Sequence, residues 1–178
     1  MRQYLSAAAY VGDFANPFTS QPKGGQQYAS IVASIVAPTS RGNVTIESAD
    51  TEDLPVINLN WLATETDQHM AIAAYKRIRD MFHSNAMAPI VVGDEYFPGK
   101  EHSTDAEILE VVRSTIMTIY HAACTCKMGA RDDAMAVLDS RARVYGVERL
   151  RVVDASAFPI LVPGHPQSTV CKCCHTWP

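Results

Sequence analysis

The sequence predicts an α+β chain in which an antiparallel sheet is backed by helices. Three observations point there. Short β-branched stretches cluster early, at residues 28–36, 41–47 and 55–58. Two longer amphipathic stretches follow, at 65–83 and 105–115. No internal repeat or low-complexity tract interrupts them, so strands and helices fall in separate runs. The chain has 178 residues, 47% hydrophobic and 19% charged, which suits an ordinary buried core.

Residues 1–27 read as a loop-like lead-in, because Asn16-Pro17 and the stretch from Gln21 to Gln27 are rich in turn formers. In Tyr28 to Val36 the apolar residues Tyr28, Ile31, Val32, Ile35 and Val36 also fit a helical spacing. The stretch is short, β-branched and bounded by Gly25 and Pro38, which favours a strand. Arg41 to Glu47 alternates, with Val44 and Ile46 on one face and Asn43 and Thr45 on the other. Pro55 to Asn58 fits a brief edge strand, since proline is tolerated at a strand start.

Thr64 stands three residues before Asp67, a start that satisfies free backbone N–H groups and opens a helix from Glu65 to His83. Ala71, Ala74, Tyr75, Ile78 and Phe82 form its apolar stripe, and Lys76, Arg77 and Arg79 are expected on the wet side. A second helix is expected from Asp105 to Thr115, opened by Thr104 with Glu107 three places on. Ile108, Leu109, Val111 and Val112 supply its buried side. Beyond it, residues 120–129 are rich in small side chains. Residues 137–144 and 150–153 are short apolar stretches parted by a turn at Gly146, and Asp154-Ala155-Ser156 is a helix-cap or loop signal. Pro163, Gly164 and Pro166 then hold the backbone around His165 stiffly.

Charge and cysteine usage exclude several classes. Net charge is −4 with a pI near 5.8 and no basic stripe, so nucleic acid is not an expected partner. No apolar run reaches the roughly 18 residues of a membrane span. The N-terminal stretch carries one Arg and a broken apolar run, so no targeting segment is expected. The five cysteines are odd in number and clustered, which makes a poor disulfide framework. The run Cys171-Lys172-Cys173-Cys174-His175 lacks the two spaced ligand pairs of a structural zinc site, so no metal site is expected.

Among the histidines, His69 and His83 lie on a charged helix and His102 in a polar loop, where solvation accounts for them. His121, taken alone among small residues, reads more readily as a core histidine than as a catalyst. His165 sits on a proline-stiffened loop, where function is commonly displayed.

Read together, the segments resemble the glucose–methanol–choline (GMC) oxidoreductases. The resemblance covers about Tyr28 to Val170. Its motifs are Ser40-Arg41-Gly42, Tyr120-His121 followed by Thr125-Cys126-Lys127-Met128-Gly129, Ala136-Val137-Leu138-Asp139, Arg143-Val144-Tyr145-Gly146-Val147, Leu150 to Ser156, and Gly164-His165-Pro166. The nearest branch resembles the fungal aryl-alcohol oxidases with their secondary-metabolism members. The resemblance implies a lead-in at 1–27, a C-terminal substrate-binding domain over 28–135, the C-terminal edge of an FAD-binding domain over 136–170, and an aberrant tail at 171–178.

It also implies FAD as cofactor and a small-molecule alcohol as substrate. His121 and His165 are expected to meet over the flavin, with His121 as the base for the hydroxyl proton and His165 as its partner. An imidazole, with a pKa of about 6.5, is suited to that exchange near neutral pH. The alcohol carbon would yield a hydride to flavin N5. The family's FAD contacts transfer to Asp154, Ala155, Pro166 and Gln167. Pro166 has no N–H, so a main-chain donor comes from Gln167 or beyond; Asp154 is alternatively a plain helix cap.

Three departures accompany the resemblance. The Gly-x-Gly-x-x-Gly fingerprint of the family's Rossmann-like part is absent from this sequence. Cys124 stands where the family commonly has glycine, and a backbone with positive φ there would strain a cysteine. After Val170 the family's closing helix is expected to be missing. The resemblance therefore leaves three expectations: an alcohol-oxidising flavoenzyme portion, a non-catalytic fragment that cannot hold FAD alone, or a flavoprotein cyclase.

Overall fold

The computed structural model describes residues 2–13 and 19–176, with side chains as far as Cys173. The expected turn at Asn16-Pro17 lies outside the described residues, as do Trp177 and Pro178. The chain forms two compact units, Arg2–Met117 and Thr118–Pro178.

In the first unit β1 (Arg2–Ala7) and β2 (Ser30–Ile35) pair antiparallel, with Arg2 opposite Ile35 and Ala7 opposite Ser30. Strand β1 lies in what the sequence reads as loop. Its own pattern is weak, and the ladder to a distant, strongly β-branched partner makes it a strand. Strands β3 (Asn43–Thr45) and β4 (Val56–Asn58) form a second antiparallel pair. Gly42 is required at its mouth, since a Cβ there would stand 2.0 Å from the Asn58 carbonyl oxygen.

Helix α1 (Glu65–Phe82) packs against β2 and against α2 (Asp105–Thr115). Thr64 caps α1 by accepting from the Asp67 N–H, and Thr104 with Glu107 completes a reciprocal capping box on α2. Val36, Leu62, Ala71, Ile72, Ala74 and Ile108 form this unit's core. Arg79 departs from its expected solvent side. It binds both carboxylate oxygens of Glu95, at 2.8 and 3.1 Å, and the Gly99 carbonyl at 3.2 Å. Tyr75 donates to the same carboxylate at 2.9 Å. Burial and the facing Glu95 push the Tyr75 phenol well up, so it remains a donor.

Asp67 is the buried charge of this unit, at 1% exposure. One carboxylate oxygen accepts from the Thr39 N–H at 2.8 Å and the Thr39 hydroxyl at 2.9 Å; the other accepts from the Ser40 N–H at 2.7 Å. Burial alone would raise its pKa. The hydrogen bonds from Ser40 and Thr39 outweigh burial and hold it well below the usual carboxylate range. Asp67 thus fastens the Ser40-Arg41-Gly42 loop to the N-terminus of α1.

In the second unit Met128 bridges Leu138, Leu138 bridges Val144, and Arg143 bridges Arg151. Leu138, Ala142, Ala157 and Phe158 are its buried core. Gly129 is fixed by close packing, as a Cβ there would stand 2.8 Å from the Ala136 Cβ. Helix α3 spans Gln167–Thr176, where the closing helix is expected to be missing. No proline or glycine interrupts those ten residues, so nothing local stops the helix. The spatial boundary falls after Met117, upstream of the family-based division after residue 135. No helix among the described residues is long and apolar enough to cross a membrane.

Because the folded Asp67 pKa is depressed, its stabilisation is present above the unfolded value of about 4 and is lost as pH falls below it. Urea unfolding should therefore show falling stability below about pH 4. Asp67→Asn should cost about 2 kcal/mol or more near neutral pH, because an amide NH₂ would face a backbone donor. It should also flatten that acid limb.

Candidate functional site

The second unit brings His121 and His165 together across 44 positions of sequence. His121 Nε2 and His165 Nδ1 are 2.6 Å apart, a direct hydrogen bond. The rings meet edge to face, with centroids 4.8 Å apart and planes at 89°. His121 is half-buried and His165 exposed.

Backbone hydrogen bonds explain how the pair meets. The segment after His121 donates from Cys124, Cys126 and Met128 to the carbonyls of Ala155, Ser156 and Ala157, at 3.1, 2.9 and 3.0 Å. The short 3₁₀ turn Ala155–Ala157 offers them consecutive carbonyls. Asp154 shapes that turn, its carboxylate accepting from the Ser156 N–H at 2.7 Å. Of the two readings of Asp154, the cap is what the geometry displays.

His121 itself rides on a strained loop. Tyr120 has φ +61° and Cys124 φ +69°, so two non-glycine residues in left-handed conformation bracket it. The strain anticipated for cysteine in place of glycine is present at Cys124. Tyr120 is held from the other side, its N–H donating to the Thr118 hydroxyl at 2.9 Å. Sequence reasoning missed Thr118; a threonine two residues before a left-handed corner is the signal that could have found it.

Gly164, at φ +80°, turns the chain into His165. Pro166 is buried, and its carbonyl accepts from the Val170 N–H at 2.9 Å to start α3. The first-turn N–H groups of Gln167, Ser168 and Thr169 therefore have no acceptor within the helix. Such donors, at the positive end of a helix and next to His165, suit the electron-rich edge of a flavin or a phosphate. Ala155 stands in the turn tied to the His121 segment, and Gln167 is exposed at the first position of α3. The structure thus places the expected FAD contacts in two groups: Asp154 and Ala155 against the His121 segment, Pro166 and Gln167 beside His165. Among the described residues no cluster of His, Cys, Asp and Glu is arranged to hold a metal.

Comparison with known proteins gives a consistent picture. Residues 38–172 match the C-terminal family model described as GMC oxidoreductase. The chain is 52% identical to a patulin synthase of Aspergillus clavatus and 54% identical to one of Penicillium expansum, over 94% of its own length and 27% of theirs. It thus spans about a quarter of those relatives. Pyridoxine 4-oxidase from Mesorbium loti has a similar fold, with a TM-score of 0.77 and 28% identity over 88% of this chain and 30% of that one. An FAD-dependent oxidoreductase from Chaetomium thermophilum gives 0.74 and 30% over 83% and 25%. A fungal aryl-alcohol oxidase gives 0.72 and 27% over 84% and 24%.

Releasing the left-handed strain at Cys124 should be measurable by chemical denaturation. Cys124→Gly is expected to stabilise the second unit by about 1 kcal/mol. Cys124→Val, β-branched at the same φ, should destabilise it. Equal midpoints for the two variants would contradict a left-handed position.

Proposed function

The chain belongs to the GMC oxidoreductase family, and from that premise we propose that it supplies the histidine-bearing portion of an FAD-dependent oxidoreductase acting on the CH–OH group of an alcohol. The observation that carries this reading is the 2.6 Å contact between His121 and His165. Two imidazoles in contact can hold one proton between them and accept another. They can also hydrogen-bond an alcohol oxygen as its proton leaves and stabilise the developing negative charge. FAD, when bound, supplies the acceptor for the hydride.

The chain's own contributions follow from its geometry. Gln167 and the next first-turn N–H groups of α3 would hold the cofactor's acceptor edge, and buried Pro166 fixes where that turn begins. Ala155 would contribute main-chain contact from the turn shaped by Asp154. The pair would be kept in register by the bonds from Cys124, Cys126 and Met128.

A second reading is favoured by one observation in the first unit: Val44, Ile46, Val56 and Ile57 are exposed on and beside the β3–β4 pair. This portion then holds FAD only together with further chain, such as one corresponding to the rest of the patulin synthases' length.

The test is flavin retention followed by single-turnover bleaching with an aryl alcohol. The chain would be taken alone and with the remaining portion of such a relative. Bleaching is expected in the flavin-retaining sample, with His121→Ala and His165→Ala each slowing it by about 10²–10⁴-fold. Unchanged bleaching in both variants would overturn the first reading; tight flavin retention by the chain alone would overturn the second.

A further inference from the structure

Residues 83–104 of the first unit are irregular chain, and the segment 94–100 within them carries three sets of contacts. Across its ends Asp94 and Lys100 form an ion pair at 2.8 Å. In its middle Arg79 grips both carboxylate oxygens of Glu95, Tyr75 adds a third donor, and the same guanidinium reaches the Gly99 carbonyl. At its tip Tyr96 meets Tyr28 and Tyr10 edge to face, with centroids 5.0 and 5.5 Å apart. Phe97 meets Tyr10 at 6.3 Å. Tyr10 and Tyr28 flank the joint where β1 ends and β2 begins. Ser30 ties that joint, its hydroxyl donating to the Ala9 carbonyl at 2.8 Å and accepting from the Val11 N–H at 2.9 Å.

We propose that residues 94–100 form a strap that opens and closes as one unit, locked at Glu95 by Arg79, and that Tyr96 transmits the state of this lock to the β1–β2 joint. Glu95 and Tyr96 are adjacent, so fixing the carboxylate fixes the backbone from which the ring projects. A ring pair contributes less than a charge-assisted fork, so the lock governs the tip and not the reverse. Arg79 is thus a positioning residue, acting on the joint through Glu95 and Tyr96.

Amide hydrogen exchange on the chain reads both ends of the strap. The His102 N–H, which donates to the Gly99 carbonyl at 3.3 Å, reports the lock. The Val11 N–H, bonded to Ser30, reports the joint. The N–H of buried Ile72, in the middle of α1, reports the core of the unit.

Glu95→Gln keeps the side-chain shape and removes the charge. It should speed exchange at His102 and Val11 together, by about 10-fold or more, and leave Ile72 unchanged. Arg79→Lys, which keeps the charge but loses the fork, should do the same more weakly. Tyr96→Ala should speed Val11 alone. Adding Glu95→Gln to it should then accelerate His102 with no further effect at Val11. Glu95→Gln acting on His102 but not on Val11, or a further rise at Val11 in the double variant, would overturn the transmission through Tyr96. No change at His102 would overturn the lock, and equal acceleration at Ile72 would overturn the strap as a separate unit.

Discussion

The histidine pair of the second unit depends on one constraint: an irregular segment laid over a tight turn. Cys124, Cys126 and Met128 donate to Ala155, Ser156 and Ala157, and this register decides where His121 stands. Nothing in the local sequence around either histidine could create the pair, because 44 positions separate them. The turn is itself held by Asp154, and the segment is followed by Gly129, where no side chain fits. Two left-handed residues at Tyr120 and Cys124 absorb the geometric cost of presenting His121 between these anchors. Helix α3 then starts just past Pro166, so an imidazole and a row of N–H donors with no acceptor inside the helix arise from one change of direction.

The first unit is organised by charge buried at a loop. Asp67 takes backbone donors from Thr39 and Ser40, and in doing so fixes the Ser40-Arg41-Gly42 turn that feeds β3. Arg79 does the corresponding work lower on α1, fastening Glu95 and Gly99. Both groups are charged side chains whose hydrogen bonds go to loop backbone, a loop hydroxyl or a loop carboxylate. Each ties irregular chain to a regular helix, where apolar contact alone would leave the loop free to slide.

Regular elements were legible in the sequence because their signals are local. The caps at Thr64 and Thr104, the stripe of α1 and the alternation of β3 need only neighbouring residues. Strand β1 was not legible, since its ladder is made with residues some thirty positions on and its own alternation is faint. Arg79 looks like any solvated arginine until Glu95 is brought to it. The α+β class and the family were readable from ordered motifs, and the family model over residues 38–172 agrees. His121 and His165 were named from those motifs. Their mutual hydrogen bond, the cap role of Asp154 and the helix after Pro166 are properties of long-range geometry.

The central claim is that His121 and His165 act as one hydrogen-bonded unit on the substrate proton. Single-turnover reduction of bound flavin in a double-mutant cycle tests it most directly. If the pair is a unit, His121→Ala/His165→Ala will slow reduction little more than the more damaging single variant, because either loss breaks the same device. Losses that multiply across the two positions would contradict the account, since they would mean two histidines working independently.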